Sequence, residues 1–400
     1  MTEIVDVAII GAGPYGLSIA AHLAADGVEF RIFGSPMHTW RTSMPEGMVL
    51  KSEGNASSLS DPSEALTIER YCTERGLPYK DIGLPIPLST FINYGVEFHR
   101  RFVPMLEDKL VTQVIPTRYG FDLHLEDGEV APARRVIVAA GIRAYEYMPP
   151  QLADLPIELA SHSALHVRVD HFKDREVAII GAGASAINLA ALMNQVGAKV
   201  TVLARRPRIE YCGPPQERTL IERIREPESG LGTGWRSWAC CAMPMVFHAM
   251  PEKFRVMVVR KHLPAAPGWT LQPQVDGVVP IVTNASVTSA DAVGGRVRLG
   301  IEIRGGGQQS LTVDHVIAGT GYRVDMRRLA FFGPQVLDRL DCVEHTPRLS
   351  RDFESSVPGL HFVGTAAANS FGPMLRFVYG AKFTSKRVAG HLVRSLPKGS

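Results

Sequence analysis

The chain has 400 residues, of which 45% are hydrophobic and 21% charged, and a formal net charge of +3. That length predicts two domains, and the composition is that of a globular protein able to bury a full core. So small a charge, with no Lys/Arg cluster, gives no reason to expect a nucleic-acid or membrane-surface partner.

The five cysteines (Cys72, Cys212, Cys240, Cys241 and Cys342) are odd in number and form no CxxC pair. Neither a disulfide framework nor a thiol-redox centre is expected, and a reducing cytoplasm is the expected compartment. The adjacent Cys240 and Cys241 read as two buried thiols. The apolar stretch Ile4 to Ala25 has Glu3 and Asp6 where a leader would carry Lys or Arg, and Gly11-Ala12-Gly13-Pro14 breaks it. It is therefore not read as a signal peptide. No run is long enough to span a bilayer, so a soluble protein is expected. The 13 histidines show no HxH or HExxH spacing, and no metal is expected.

In chain order, Val5 to Ile10 predicts a buried strand, followed by Gly11-Ala12-Gly13-Pro14-Tyr15-Gly16 and an apolar helix that ends at Gly27. A second strand follows from Val28 to Phe33. Residues 40–110 read as helix and loop, and 110–141 as hairpin strands. The first pattern then recurs. Glu176 to Ile180 leads into Gly181-Ala182-Gly183-Ala184-Ser185-Ala186, a helix ending at Gly197, and a strand from Lys199 to Leu203. Residues 206–275 read as irregular. Strands are predicted at Val278–Val282, Arg296–Ile303, Asp314–Ala318 and His361–Val363, and a helix from about Met374 to Ser395.

An apolar strand, a glycine turn, a helix and a second strand make a βαβ unit built for a dinucleotide, and here it occurs twice. Gly11 permits the tight turn, Gly13 lets the backbone approach a pyrophosphate, and Gly16 allows close helix–strand packing. Pro14 and Tyr15 belong to the same cradle, as do Gly181, Gly183 and Ser185 in the second copy. Each helix N-terminus offers free N–H groups and a partial positive charge to phosphate. The predicted fold is α/β with two Rossmann-like domains, one discontinuous (1–155 and 310–400) and the other inserted into it (156–309, with 206–275 as an irregular insertion).

Such units usually end their second strand on a carboxylate that holds ribose hydroxyls. Here Gly34 and Ser35 stand in that place, so backbone, Ser35 or a residue from elsewhere must serve. The second unit ends instead on Arg205 and Arg206. Two arginines can grip a 2′-phosphate with charge-assisted bonds, which favours NADPH over NADH.

With the Thr320-Gly321-Tyr322 turn and the glycine-rich C-terminal segment, the paired motifs resemble those of the single-chain flavin monooxygenases. That group comprises flavin-containing monooxygenases, Baeyer–Villiger enzymes and amino-acid N-hydroxylases. The resemblance implies FAD in the first unit and NADPH in the second. It also implies an oxygen atom inserted from O2 into a small organic substrate through a flavin C4a-peroxide. Trp40-Arg41 and the stretch Pro45 to Ser52, with Met48, look like the flavin-side segment of that family. Asn55 falls where it keeps an asparagine beside the flavin ring, which makes Asn55 the expected catalytic residue. His162 resembles the histidine of its linker motif, although Pro156 to Ala160 lacks the usual aromatic and glycine. Near the C-terminus Gly364-Thr365 replaces the usual Gly-Asp, and Gly372-Pro373-Met374 could aim backbone N–H groups at the flavin. The alternative is an FAD-dependent NAD(P)H reductase that does not oxygenate. The sequence leaves open which substrate is used and whether the chain forms a homo-oligomer.

Overall fold

The computed structural model describes residues 3–214, 218–263 and 265–395. Strand β1 (Val5–Ile10) is buried at every position except Asp6, as a parallel strand covered on both faces must be. Helix α1 (Pro14–Ala25) follows the glycine turn with Pro14 in its first turn, where the missing N–H costs nothing. It stops at Gly27, whose φ of +71° suits the left-handed residue that ends a helix. Strand β2 (Phe30–Phe33) then pairs parallel to β1.

After helix α2 (Leu88–Phe102), the strands β3 (Val111–Thr117), β4 (Gly120–Leu125) and β5 (Val130–Val138) complete a sheet in the order β2-β1-β5-β4-β3. β5 pairs with β1 along one edge and serves two partners along the other. Its first half pairs antiparallel with β4, and its last residues pair parallel with the C-terminal strand Leu360–Phe362. The chain's end thus returns to the first sheet, and its C-terminal helix packs on α1.

The second sheet comprises β6 (Ala160–His162), β7 (Glu176–Ile180), β8 (Lys199–Leu203) and β9 (Ile281–Val282), with helix α3 (Ala184–Gln195) between β7 and β8. A three-stranded antiparallel meander of β10 (Ala285–Val293), β11 (Arg296–Ile303) and β12 (Gly307–Val313) leads to the last strand, β13 (His315–Ala318). The parallel order is β9-β8-β7-β13-β6. Alternation along β7 builds two cores. Val177 and Ile179 pack with α3 on one face, and Ala178 packs with Val297, Leu299 and Ile301 of the meander on the other.

Four expectations change. Residues 206–275 are not irregular throughout, because helices form at Leu220–Arg225, Trp235–Ala242, Pro244–Ala249, Glu252–Lys261 and Gln272–Val275. Pro244 and Pro251 stand at helix starts, where proline is tolerated, and Thr219 with Glu222 forms a capping box. β13 hydrogen-bonds within the second sheet, so the chain's return to the first falls after Ala318 and not at 310. β10 and β12 were hidden because their outer faces are largely exposed and polar. The C-terminal helix α4 (Gly380–Ser395) starts later than Met374, since Phe377 is extended at φ −122°, ψ 159°. Among the described residues no helix is long and apolar enough to cross a membrane.

Candidate active site between two nucleotide cradles

Around the first glycine turn the missing side chains leave room of two kinds. A Cβ on Gly11 (φ +110°) would lie 2.4 Å from the Ala139 carbonyl oxygen, and one on Gly16 would lie 1.9 Å from that of Gly11. A Cβ on Gly13 would meet nothing within 4 Å. Its open side faces a cavity that runs from Gly34 and Ser35 past Gly141 to Gly364 and Phe377. The Tyr15 hydroxyl donates to the carbonyls of Leu375 (3.0 Å) and Phe377 (2.8 Å) and ties the turn to the C-terminal wall. Burial holds this phenol far above its usual pKa.

A carboxylate does approach the end of β2, from another segment. Phe33 bridges to Glu107, Arg31 pins the Glu107 carboxylate at 2.7 Å, and the Ser35 hydroxyl donates to Asp108 at 3.3 Å. Asp108 is exposed at this edge.

A second cavity of about 270 Å³ lies between Ser185 and Asn188 of α3 and the first unit's Trp40, Met48 and Ser52. Trp40, Met44, Arg376, Phe377 and Val378 line both cavities, so the two spaces share one wall. Trp40 is fixed edge-on to Phe91 at a centroid distance of 4.7 Å. Arg376 donates from Nη2 to the carbonyls of His262 (2.9 Å) and Leu263 (3.0 Å). Its Nε and the Ser163 Oγ are buried without a hydrogen-bond partner among the described residues.

In the second glycine turn, a Cβ on Gly181 (φ +141°) would lie 2.2 Å from the Gly319 carbonyl. Gly183 is covered, since a Cβ there would lie 3.1 Å from the Ala265 carbonyl. Arg205 and Arg206 are exposed beyond β8, with Arg206 3.5 Å from Glu210.

His162 braces the turn after β13. Its Nε2 donates to the Gly321 carbonyl at 3.0 Å, and its Nδ1 accepts from the Ala164 N–H at 3.2 Å. Both roles require a neutral ring. Burial accordingly lowers its pKa, against the opposing pull of Glu146. Tyr322 sits edge-on to His162 at 5.3 Å and lines the second cavity, and burial pushes its phenol up to about 12. The Thr320 hydroxyl donates to the Tyr147 carbonyl. Next to this brace, the Ser161 hydroxyl lies 2.7 Å from His166 Nε2 and 2.6 Å from His315 Nε2.

Several expected site residues lie away from both cavities. Asn55 is exposed, gives its backbone N–H to Asp81, and lines an adjoining cavity with Lys80, Gly83 and Arg218 that shares Glu53, Cys212 and Gly213 with the second. The 3₁₀ turn Gly54–Ala56 turns it outward. Arg41 is exposed. Gly372, Pro373 and Met374 are buried, with Gly372 against the Phe247 ring. Sequence reasoning missed Arg376, Ser163, Trp269 and Asp108. Arg376 alone left a signal, as the one cation in the apolar run Phe371 to Tyr379.

Among the described residues no group of three or more His, Cys, Asp or Glu is placed to hold a metal. Of the five cysteines, Cys212 alone lines the second cavity. Burial pushes the Cys240 thiol up to about 11.

The sequence profile of the family described as pyridine nucleotide-disulphide oxidoreductase matches residues 5–228. The chain is 26% identical over 219 residues to an indole-3-pyruvate monooxygenase of Oryza sativa subsp. japonica, a match covering 49% of this chain and 47% of that protein. It is 24% identical over 208 residues to a ferredoxin–NADP reductase of Leuconostoc mesenteroides, covering 52% and 54%. The chain therefore spans about half the length of the curated relatives it matches. An ornithine N-hydroxylase of Kutzneria sp. 744, solved with reduced FAD, NADP+ and L-ornithine, shares the fold across 98% of this chain and 99% of its own, at a TM-score of 0.76 and 16% identity.

Proposed function

The chain belongs to the pyridine nucleotide-disulphide oxidoreductase family, and on that premise we propose that it is a monooxygenase using FAD, NADPH and O2 on a small organic molecule. The observation that carries this reading is the shared wall. The first glycine turn opens on one cavity, Ser185 at the start of the helix after the second turn lines the other, and the two cavities meet at Trp40 and Arg376–Val378.

The residues present fit the first dinucleotide. Gly13 offers an open backbone face, and the start of α1 directs N–H groups and a partial positive charge at a pyrophosphate. Ser35, with Asp108 behind it, is suited to the ribose. Tyr15 fixes the Leu375–Phe377 strip, whose backbone borders the far end of the cavity. When bound, the flavin supplies the hydride and oxygen chemistry.

The protein's own contribution is position and dryness. Trp40, Met48, Trp269 and Phe377 give the second cavity apolar walls that exclude water from a reactive centre. Arg205 and Arg206, exposed just beyond β8, are suited by charge and position in the βαβ unit to the 2′-phosphate of NADPH. His162, with its Nε2 proton given to Gly321 and its Nδ1 occupied by the Ala164 N–H, is a neutral brace beside Tyr322.

The similarity to a ferredoxin–NADP reductase favours a second reading, electron transfer from NAD(P)H without oxygenation. Transfer to a disulfide through a cysteine pair is poorly supported, because Cys212 alone lines the shared cavity. The test is the visible spectrum of the purified protein, followed by NADPH oxidation in air with amines, ketones and thioethers. Oxygenated product in step with NADPH supports the monooxygenase. NADPH oxidation that reduces ferredoxin or a quinone, with no oxygenated product, would establish the reductase.

A further inference from the structure

Arg376 is a cation with neutral neighbours. It is half-buried, burial lowers its pKa, and its guanidinium donates to two backbone carbonyls and lies 5.7 Å from the centroid of the Phe377 ring. Its Nε has no partner among the described residues. A half-buried charge with no carboxylate partner is costly, and this one sits where both cavities meet. The other charged residues lining the second cavity, Lys51 and Glu53, are of opposite sign, so Arg376 leaves that space one positive charge in excess. The Ser163 hydroxyl, also orphaned, lines the same space. The surrounding walls are flat and apolar, formed by Trp40, Trp269 and Phe377.

We propose that the second cavity binds a small planar organic anion, with Arg376 as its counter-charge and Ser163 as a second hydrogen-bonding group. This rests on reading the cavity as the substrate site. A guanidinium offers a carboxylate or a delocalised oxyanion charge-assisted hydrogen bonds in a fixed plane. The aromatic walls select a flat apolar frame around that charge. A neutral amine or thioether would leave the guanidinium uncompensated, so the site discriminates by charge before shape.

The experiment uses the protein as purified, with tryptophan fluorescence as the readout because Trp40 and Trp269 line the cavity. The probes are benzoate and its neutral isostere benzamide. Benzoate is expected to quench saturably and to bind at least about tenfold more tightly than benzamide. Arg376→Met should lose that preference, and Arg376→Lys should keep part of it. Should Arg376→Met fail to fold by circular dichroism, Ser163→Ala is expected to weaken benzoate about threefold. Absence of saturable quenching by benzoate, equal affinity for the two probes, or unchanged preference in Arg376→Met overturns the proposal. So does a fall in flavin midpoint potential in Arg376→Met with benzoate affinity intact, because the charge would then serve the flavin. Charge-selective binding by a protein that carries no flavin would unseat the proposed function and leave this inference standing.

Discussion

The hydroxyl of Tyr15 lies 2.8 Å from the carbonyl oxygen of Phe377, a residue 362 positions later in the chain. One side chain of the first glycine turn thereby sets the distance between the turn and the opposite wall of the cavity. Tyr15→Phe removes the donor and leaves the Leu375 and Phe377 carbonyls short of a partner. A cost of about 1–3 kcal/mol in stability is expected, with faster loss of FAD. Urea unfolding and flavin fluorescence during dialysis measure both, and a variant that retains FAD like the wild type would show the bond to be incidental.

Asp108 should contribute to FAD affinity through Ser35. Asp108→Asn keeps the size and removes the charge, and it is expected to weaken FAD about tenfold. Reconstitution of apoprotein with FAD gives the affinity directly. Equal affinity in the two proteins would leave the ribose to backbone groups alone.

The exposed Arg205 and Arg206 test the choice of coenzyme. Changing both to Ala should raise the NADPH Michaelis constant by about tenfold, a moderate figure because solvent screens these charges. NADH should be nearly unaffected. Equal loss with both coenzymes would mean that the arginines make no contact with the 2′-phosphate.

Asn55 is expected to be dispensable. Exposed in the adjoining cavity and lining neither of the other two, it should tolerate Asn55→Ala with NADPH turnover and coupling to product within about twofold of wild type. A selective rise in hydrogen peroxide release would return it to the catalytic centre.

Acid should destabilise the fold through its histidines. Burial holds seven of them (His22, His162, His166, His248, His262, His315 and His361) below the usual 6.5, with His166 at about 3. Below pH 6.5 the unfolded chain takes up protons that the folded chain refuses. Stability present at neutral pH is therefore lost as the pH falls from about 6.5 toward 3. For His166 alone the loss at about pH 5 is roughly 2 kcal/mol. Urea unfolding at neutral pH and at about pH 5, in wild type and His166→Asn, measures it. A stability that does not fall with acid would show that these rings accept protons without cost.

Both βαβ units and the fold class were legible because they rest on local signals, apolar runs of strand length and glycines whose absent Cβ fits a turn. The insertion was obscured by prolines that break helices in general but stand at helix starts here. The strand at 315–318 was misplaced because sheet membership is decided by pairing with Ala160–His162, far away in sequence. The site followed the same division. The glycines came from local pattern, and Trp40, Met48 and Tyr322, which line the second cavity, came from the resemblance to the flavin monooxygenases. Arg376 and Asp108 act through neighbours that only folding supplies.

His262, Leu263 and Ala265 touch both halves of the site. Carbonyls of His262 and Leu263 hold the Arg376 guanidinium, and the Ala265 carbonyl lies over Gly183, where a pyrophosphate would press. A coenzyme that displaces Ala265 must also disturb the acceptors of Arg376. Coenzyme and anion affinities are then linked quantities, each changed by the other by the same factor. The coupling between coenzyme and anion would then run through the backbone of His262, Leu263 and Ala265.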